Sequence, residues 1–248
     1  MEYLVVSYPK AGTLKVINKN SGEYLYTPPT DYVGTDTFSY VAMDEWGNFS
    51  KICKVEIEVS QRMSDVVFVD MKSHRDYNAA VTLAAMNIMD GKLIGDGVYF
   101  MPDESVTRAE FVTMAMKCAG ITPSASITNS FFDDNDKIPT AMMNYIATAQ
   151  SLGIINGTFE GGELLFNPNE KITKYEAGVI MSNIIGRVTE GDTPVFSDIS
   201  DAPVWSHGDI YTMCRLGIFE ADTDEIGATA TLTKAEVARY LCRMMDLS

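Results

Sequence analysis

Three five-residue stretches constrain this chain more than any other feature. They are Val106-Thr107-Arg108-Ala109-Glu110, Ile172-Thr173-Lys174-Tyr175-Glu176 and Leu232-Thr233-Lys234-Ala235-Glu236. Each sets a threonine three residues before a glutamate, ahead of an apolar stripe. That spacing predicts a capping box: the threonine hydroxyl accepts from the N3 backbone N–H, and the glutamate reaches back to the N-cap N–H. Phe111, Met114, Ala115 and Cys118 then recur at helical spacing, as do Ala177, Ile180, Met181 and Ile184, and Val237, Tyr240, Leu241 and Met244. One face of each helix is therefore expected to be buried. Three like helices, each needing a partner, predict a closed pseudo-threefold bundle.

The repetition extends upstream. Phe68-Val69-Asp70, Phe132-Asp133-Asp134 and Phe196-Ser197-Asp198 place their phenylalanines 64 and again 64 residues apart. Between each such mark and its capping box runs another helical stretch. Gly153-Ile154 and Gly217-Ile218 fit a C-terminal glycine followed by an apolar contact. Each repeat thus reads as helix, loop, helix.

Residues 1–60 have a different character. "GTLKVINKNSGEYLYTPP" gives two alternating runs around Asn20-Ser21-Gly22, and two more meet at Glu45-Trp46-Gly47-Asn48. The expected architecture is multidomain: a small all-β domain over 1–62, then an all-α domain over 63–248. The boundary falls at Ser60–Ser64, and the repeats span 63–122, 128–188 and 193–248.

A net charge of −15 and a pI near 4.4 argue against nucleic-acid binding, which needs a basic face. No apolar run approaches a membrane span of about 20 residues. The N-terminus lacks the basic and apolar regions of a signal peptide. It reads as a strand entered mid-domain, so the chain is expected to be a fragment of a longer protein. The cysteines, Cys53, Cys118, Cys214 and Cys242, have no CxxC spacing, and His74 and His207 are too few for a histidine-rich metal site. No carboxylate pair, serine elbow or phosphate-cradling glycine loop singles itself out. Neither catalysis, cofactor nor metal is expected.

One residue type is out of place. Arg108, Lys174 and Lys234 all follow the capping threonine, at the positive end of the helix dipole, where a cation costs about 0.3–1 kcal/mol if exposed. Two explanations stand. The cations pair with nearby acids such as Asp103, Glu104 or Glu170, or they build anion sites with the free N–H groups of the helix start. In the second case Arg108 is expected to be removable with little loss of stability.

These residues carry a resemblance. Residues 64 to 248 resemble three tandem S-layer homology (SLH) repeats. The family pattern runs F-x-D-V, H-W-A, a helix ending G-I-I-x-G, then D-G-x-F-x-P-x-x-x-I-T-R-A-E. The first repeat has Phe68-Val69-Asp70-Met71, Asp96-Gly97-Val98-Tyr99-Phe100-Met101-Pro102-Asp103 and the Thr107 to Glu110 box. The resemblance implies a bacterial cell-surface anchor packed as a pseudo-trimer. Its inter-repeat grooves would hold secondary cell-wall polysaccharide through a pyruvylated amino sugar. Carried over, carboxylate recognition falls on Arg108, and on Lys174 and Lys234. Asp70, Asp134 and Asp198 would line the grooves or cap the first helices. Gly95 would be the glycine after the I-I pair, with Asn156 and Glu220 in its place later. The tryptophan of H-W-A survives only as Trp205; the first repeat has Tyr77 near that place, and the second Ile138-Pro139-Thr140. The third repeat lacks the D-G-x-F-x-P turn and sets Glu220 where an anion should approach. Unequal grooves are expected, those using Arg108 being the best. The alternative is a module contacting neighbouring surface proteins, or one binding peptidoglycan directly.

Residues 1–60 are similar to the C-terminal half of a cadherin-like or bacterial Ig-like repeat, on "GEYLYTPPTDYVGTDTFSYVAMDEWGN" and the closing "VEIEV". That implies spacing or adhesion. Asp31, Asp36 and Asp44 read as turn residues rather than calcium ligands.

Overall fold

A computed structural model describes residues 1–29, 32, 34–59, 66–124, 126–127, 129–190, 194–220 and 223–247. Two compact units result, Met1–Met63 and Ser64–Ser248. Asp31 and the expected Ser60–Ser64 boundary lie outside the described residues.

The first unit contains β1 (Glu2–Ser7), β2 (Thr13–Asn18), β3 (Glu23–Thr27), β4 (Gly34–Met43) and β5 (Cys53–Val59). An antiparallel sheet runs in the order β1-β4-β5, and β2 pairs with β3. The β2–β3 turn forms where expected: Gly22 takes φ 73° and Asn18 Oδ1 accepts from Asn20 N at 2.9 Å. Asp44 is a turn residue, its Oδ1 accepting from Trp46 N and Asn48 N at 2.9 and 2.8 Å.

Asp36 corrects its expected role. It lies inside β4 and is 4% exposed. Its carboxylate accepts from the N–H groups of Lys10, Ala11, Gly12 and Thr37 and from the Tyr26 hydroxyl, all within 3.0 Å. A buried carboxylate with five donors is a clamp for the loop before β2. Burial opposes its ionisation, yet the backbone donors outweigh that and hold the carboxyl well below the usual range.

The second unit is helical. It contains α1 (Tyr77–Ala85), α2 (Arg108–Cys118), α3 (Thr140–Ser151), α4 (Lys174–Ile185), α5 (His207–Arg215) and α6 (Lys234–Met245). Short hairpins β6 (Lys92–Ile94)–β7 (Gly97–Tyr99) and β8 (Thr158–Glu160)–β9 (Glu163–Leu165) precede α2 and α4. Among the described residues, no helix is long and apolar enough to cross a membrane. The predicted stripes form the core: every stripe residue is buried except Ile184, which is half-buried and packs against it. α2 also buries Val112, Thr113 and Met116, so it is enclosed on most of its faces.

The helices pack across segments. α2 lies against α3, α4 against α5, and α6 against α1. Backbone bonds follow the same order at the helix starts. Ile172 N donates to Val106 O at 3.0 Å, Leu232 N to Ile172 O at 2.9 Å, and Val106 N to Leu232 O at 3.3 Å, closing a ring. Arg108 N, Lys174 N and Lys234 N likewise donate to Glu170 O, Ala230 O and Glu104 O. The orphan N–H groups of each helix start are thus used by a neighbouring segment rather than left for a ligand.

The first helices end alike. Gly153 and Gly217 adopt φ 71° and 70°, and Ile154 N and Ile218 N donate back to Ala149 O and Met213 O. Asn87 fills the same place in the first segment at φ 54°, with Ile88 N bonded to Leu83 O at 2.9 Å. This Schellman-type register aligns Ile88-Met89, Ile154-Ile155 and Ile218-Phe219.

Candidate functional site

That register corrects the role expected for Gly95. The residue after the apolar pair is Asp90 in the first segment, the counterpart of Asn156 and Glu220. Gly95 instead forms the exposed turn between β6 and β7, at φ 59°. The glycine belonging to the apolar pair is Gly91, where a Cβ would meet Phe68 and Val98 side-chain carbons at 2.6 Å. Gly157 is its counterpart, with the Phe132 ring 2.6 Å away.

The three aspartates hold backbone. Asp70 accepts from Phe100 N and Met101 N, Asp134 from Phe166 N and Asn167 N, and Asp198 from Ile226 N and Gly227 N, at 2.7–2.8 Å. The second residue of each pair has positive φ: Met101 61°, Asn167 55°, Gly227 64°. Each carboxylate therefore braces a left-handed turn just before the second helix, strained at Met101 and Asn167 and freely adopted at Gly227. None of these side chains caps a first helix. For Asp198, burial opposes ionisation, but the N–H groups of Ile226 and Gly227 prevail and keep its carboxyl below the usual value.

The helix starts carry capping boxes at Thr107–Glu110, Thr173–Glu176 and Thr233–Glu236. At Thr173 the glutamate supplies the short contacts, Oε2 accepting from Thr173 N and Oγ1 at 2.9 and 2.7 Å.

The cations after them reach into the next segment. Arg108 Nη1 donates to Glu176 Oε1 and Nε to Phe166 O at 3.0 Å, with the guanidinium 5.3 Å from the Phe166 ring centroid. The acid partner is thus the next capping glutamate, not Asp103, Glu104 or Glu170. Lys174 Nζ donates to Ile226 O at 2.7 Å, and Lys234 Nζ to Asp90 O at 2.6 Å, 4.6 Å from the Phe100 ring centroid. Burial pushes both ammonium groups below the ordinary lysine value. All three cations keep N–H groups beyond these bonds; the arginine differs in geometry, since its bonds run through Nε and Nη1 and Nη2 remains as the other arm of a planar fork.

Two grooves open at these cations. One, of about 310 Å³, is lined by Arg108, Ile154, Asn156, Thr158, Tyr175, Glu176, Val179, Asn183 and Trp205. Trp205 is 64% exposed and meets Tyr175 edge-on, centroids 6.1 Å apart. The other, of about 380 Å³, is lined by Asp90, Lys92, Glu104, Glu110, Thr113, Lys117, Met142 and Lys234. Residues at matching places line both: Asn156 with Asp90, Val179 with Thr113, Asn183 with Lys117, Arg108 with Lys234. Their chemistry differs. The Lys234 groove sets its lysines against Asp90, Glu104 and Glu110, and Lys92 Nζ is already paired with Glu104 at 2.7 Å. In the Arg108 groove the place beside the cation is the uncharged Asn156, and an aromatic pair forms one wall.

Tyr175 and Asn156 were not singled out by sequence reasoning as groove residues. Aligning the left-handed residues Asn87, Gly153 and Gly217 would have brought Asp90, Asn156 and Glu220 into register.

Family models match both units. Residues 2–55 match the bacterial Ig domain. Residues 131–177 match the S-layer homology domain. The SLH match runs from Phe131 through the Glu176 box, so it contains Asp134, Asn156, Tyr175, all of α3 and the start of α4. The chain is 31% identical over 190 residues to the exoglucanase XynX of Acetivibrio thermocellus, covering 74% of this chain and 16% of that protein. It is 28% identical over 151 residues to the S-layer protein sap of Bacillus anthracis, covering 58% and 17%. With the amylopullulanase of Thermoanaerobacterium thermosulfurigenes it shares 26% identity over 237 residues, 91% of this chain and 12% of that one. The chain therefore spans less than a fifth of each of these relatives. The SLH match and the S-layer relatives support a surface or cell-wall anchoring role, and the Ig and SLH modules point to a non-catalytic surface segment.

Proposed function

We propose that the helical unit anchors a bacterial surface protein non-covalently to the cell wall. It does so by holding an anionic, pyruvylated amino sugar of the wall polysaccharide in the Arg108 groove. The observation that carries this reading is the combination at Arg108: a guanidinium with an unpartnered Nη2, an uncharged Asn156 beside it, and the Tyr175–Trp205 wall. A sugar ring stacks on an aromatic wall, its amide and hydroxyls meet Asn156, Asn183 and Thr158, and its carboxylate takes the remaining N–H groups of Arg108. The local cation has to act against a net charge of −15, so binding depends on the short-range geometry of the guanidinium.

In this reading the chain carries three SLH repeats closed into a pseudo-threefold bundle. The cyclic α2–α3, α4–α5, α6–α1 packing and the backbone ring through Val106, Ile172 and Leu232 support it. The Ig-like unit would act as a spacer in a longer secreted protein on the bacterial surface.

The test is a pull-down of the chain with purified cell wall, before and after acid removes the wall polysaccharide. Binding is expected to intact wall and to be lost on stripping. Binding unchanged by stripping would favour peptidoglycan, and no binding to intact wall would favour contacts with neighbouring surface proteins.

A further inference from the structure

The place that Asn156 holds beside Arg108 is held in the third segment by Glu220. There the corresponding α6 residues are Arg239 and Arg243, where α2 has Thr113 and Lys117 and α4 has Val179 and Asn183. Glu220 Oε1 lies 2.8 Å from Arg75 Nη2, 2.9 Å from Arg243 Nη2 and 3.2 Å from Arg239 Nε. Arg239 also donates Nη1 to both oxygens of Asp76, at 2.9 and 2.7 Å, and its side chain is only 13% exposed. Three guanidiniums thus face two carboxylates. Lys174, which feels the charge of Glu220, adds a further cation nearby.

Arg75 makes a hydrogen bond to that oxygen, whereas Arg243 and Arg239 stand at ion-pair distance and the buried Arg239 Nε is left without a hydrogen-bond partner among the described residues. Several guanidiniums converging on one oxygen is how a protein holds a bound carboxylate or phosphate. Here the carboxylate belongs to the chain itself. Its side chain is 31% exposed, less than Arg75 at 64% and Arg243 at 35% and more than Arg239 at 13%, so it lies within the cluster yet is still reached by solvent. Asp76, at 4% exposure, is the buried acid that fixes Arg239 from below.

We propose that Arg75, Arg239 and Arg243 form an anion site which Glu220 occupies in cis. The third groove is thereby shut to acidic ligands while Glu220 is in place. Withdrawal of its charge leaves three guanidiniums against Asp76, with Glu236 also acting on the neighbouring Lys174, a net cationic spot in an acidic protein. A small carboxylate, or the acidic group of a sugar, would then bind there. The inference rests on the anchoring reading only for the groove's natural ligand; the anion site is testable without any wall.

The experiment uses the full chain with Glu220→Ala and Glu220→Gln, titrated with sodium pyruvate as a carboxylate probe. Arginine Nε–H resonances are followed by NMR, and thermal unfolding reports the fold. In the variants the Arg239 and Arg243 signals should shift saturably, with pyruvate bound at least about tenfold more tightly than by the parent, the scale of one charge-assisted hydrogen bond. Glu220→Gln keeps the side chain's shape and carries the test if the alanine variant unfolds. Folded variants whose arginines ignore pyruvate would overturn the proposal. So would a parent that binds it equally well at these arginines, or two variants that both fail to fold, since Glu220 would then be a staple alone. None of these failures touches the Arg108 groove, which is read separately by wall binding.

Discussion

At the scale of single residues, charges that look alike do different work. Arg108, Lys174 and Lys234 share a helix position and all keep N–H donors to spare, but only the arginine presents its own as a planar fork matched to a carboxylate. Its ties to Glu176 and Phe166 O also alter the expectation that it is dispensable for stability. With 11% of its side chain exposed, Arg108→Ala should lower stability by about 1–2 kcal/mol in chemical denaturation, in addition to its effect on binding. Asp36 makes a pH prediction for the Ig-like unit. Its folded pKa is depressed, so its contribution is present above the ordinary carboxylate value of about 3.9 and is lost as pH falls below it. Acid unfolding of this unit should therefore begin below about pH 4, and Asp36→Asn should lower its Tm at neutral pH and flatten that acid limb. Thermal scans followed by circular dichroism across pH check both. The thiols differ as well. Burial pushes Cys118 up to about 12 and Cys214 up to about 11, whereas Cys53 is exposed. A thiol reagent at neutral pH should label Cys53 in seconds to minutes and leave Cys118 and Cys214 protected until the unit unfolds, as peptide mass spectrometry would read.

At the scale of elements, the glutamate of a capping box can serve two helices. Glu176 closes the start of α4 and also receives Arg108 from α2. A double-mutant cycle between Arg108→Ala and Glu176→Ala should give a coupling of about 0.5–3 kcal/mol, and near zero if the contact is unimportant. Thr107→Ala, by contrast, should cost a cap's worth, about 0.5–2 kcal/mol. Helix C-termini offer a gain: Asn87→Gly places glycine at φ 54° and should stabilise by up to about 1 kcal/mol in urea melts. Much of this level was legible. Helix starts, stripes and two of the three C-terminal turns follow from spacing, because capping and amphipathicity are local. Partners were not legible. Nothing local in Asp70, Asp134 or Asp198 announces that each braces a loop about thirty residues away. Asn87 hid the third turn, since asparagine takes the left-handed conformation less visibly than glycine.

At the scale of the molecule, the helical unit is held by neighbours taken in order, ending where α6 meets α1. Such closure predicts that deleting residues 234–248 unfolds the whole unit rather than one segment. Native-state hydrogen exchange should likewise show α2, α4 and α6 opening together. The candidate site belongs to this scale, because Arg108, Asn156 and Trp205 come from three segments and meet only in the assembled unit. The sequence named Arg108 and Trp205 but could not join them, nor show that Asn156 is the uncharged member of its set. The account turns on the Arg108 groove being the working one. The most direct measurement is the affinity of purified wall polysaccharide for the parent chain, Arg108→Ala and Lys174→Ala, each checked for folding. The account predicts a loss of at least about tenfold for Arg108→Ala and little change for Lys174→Ala. Equal losses in both, or none in either, would contradict it.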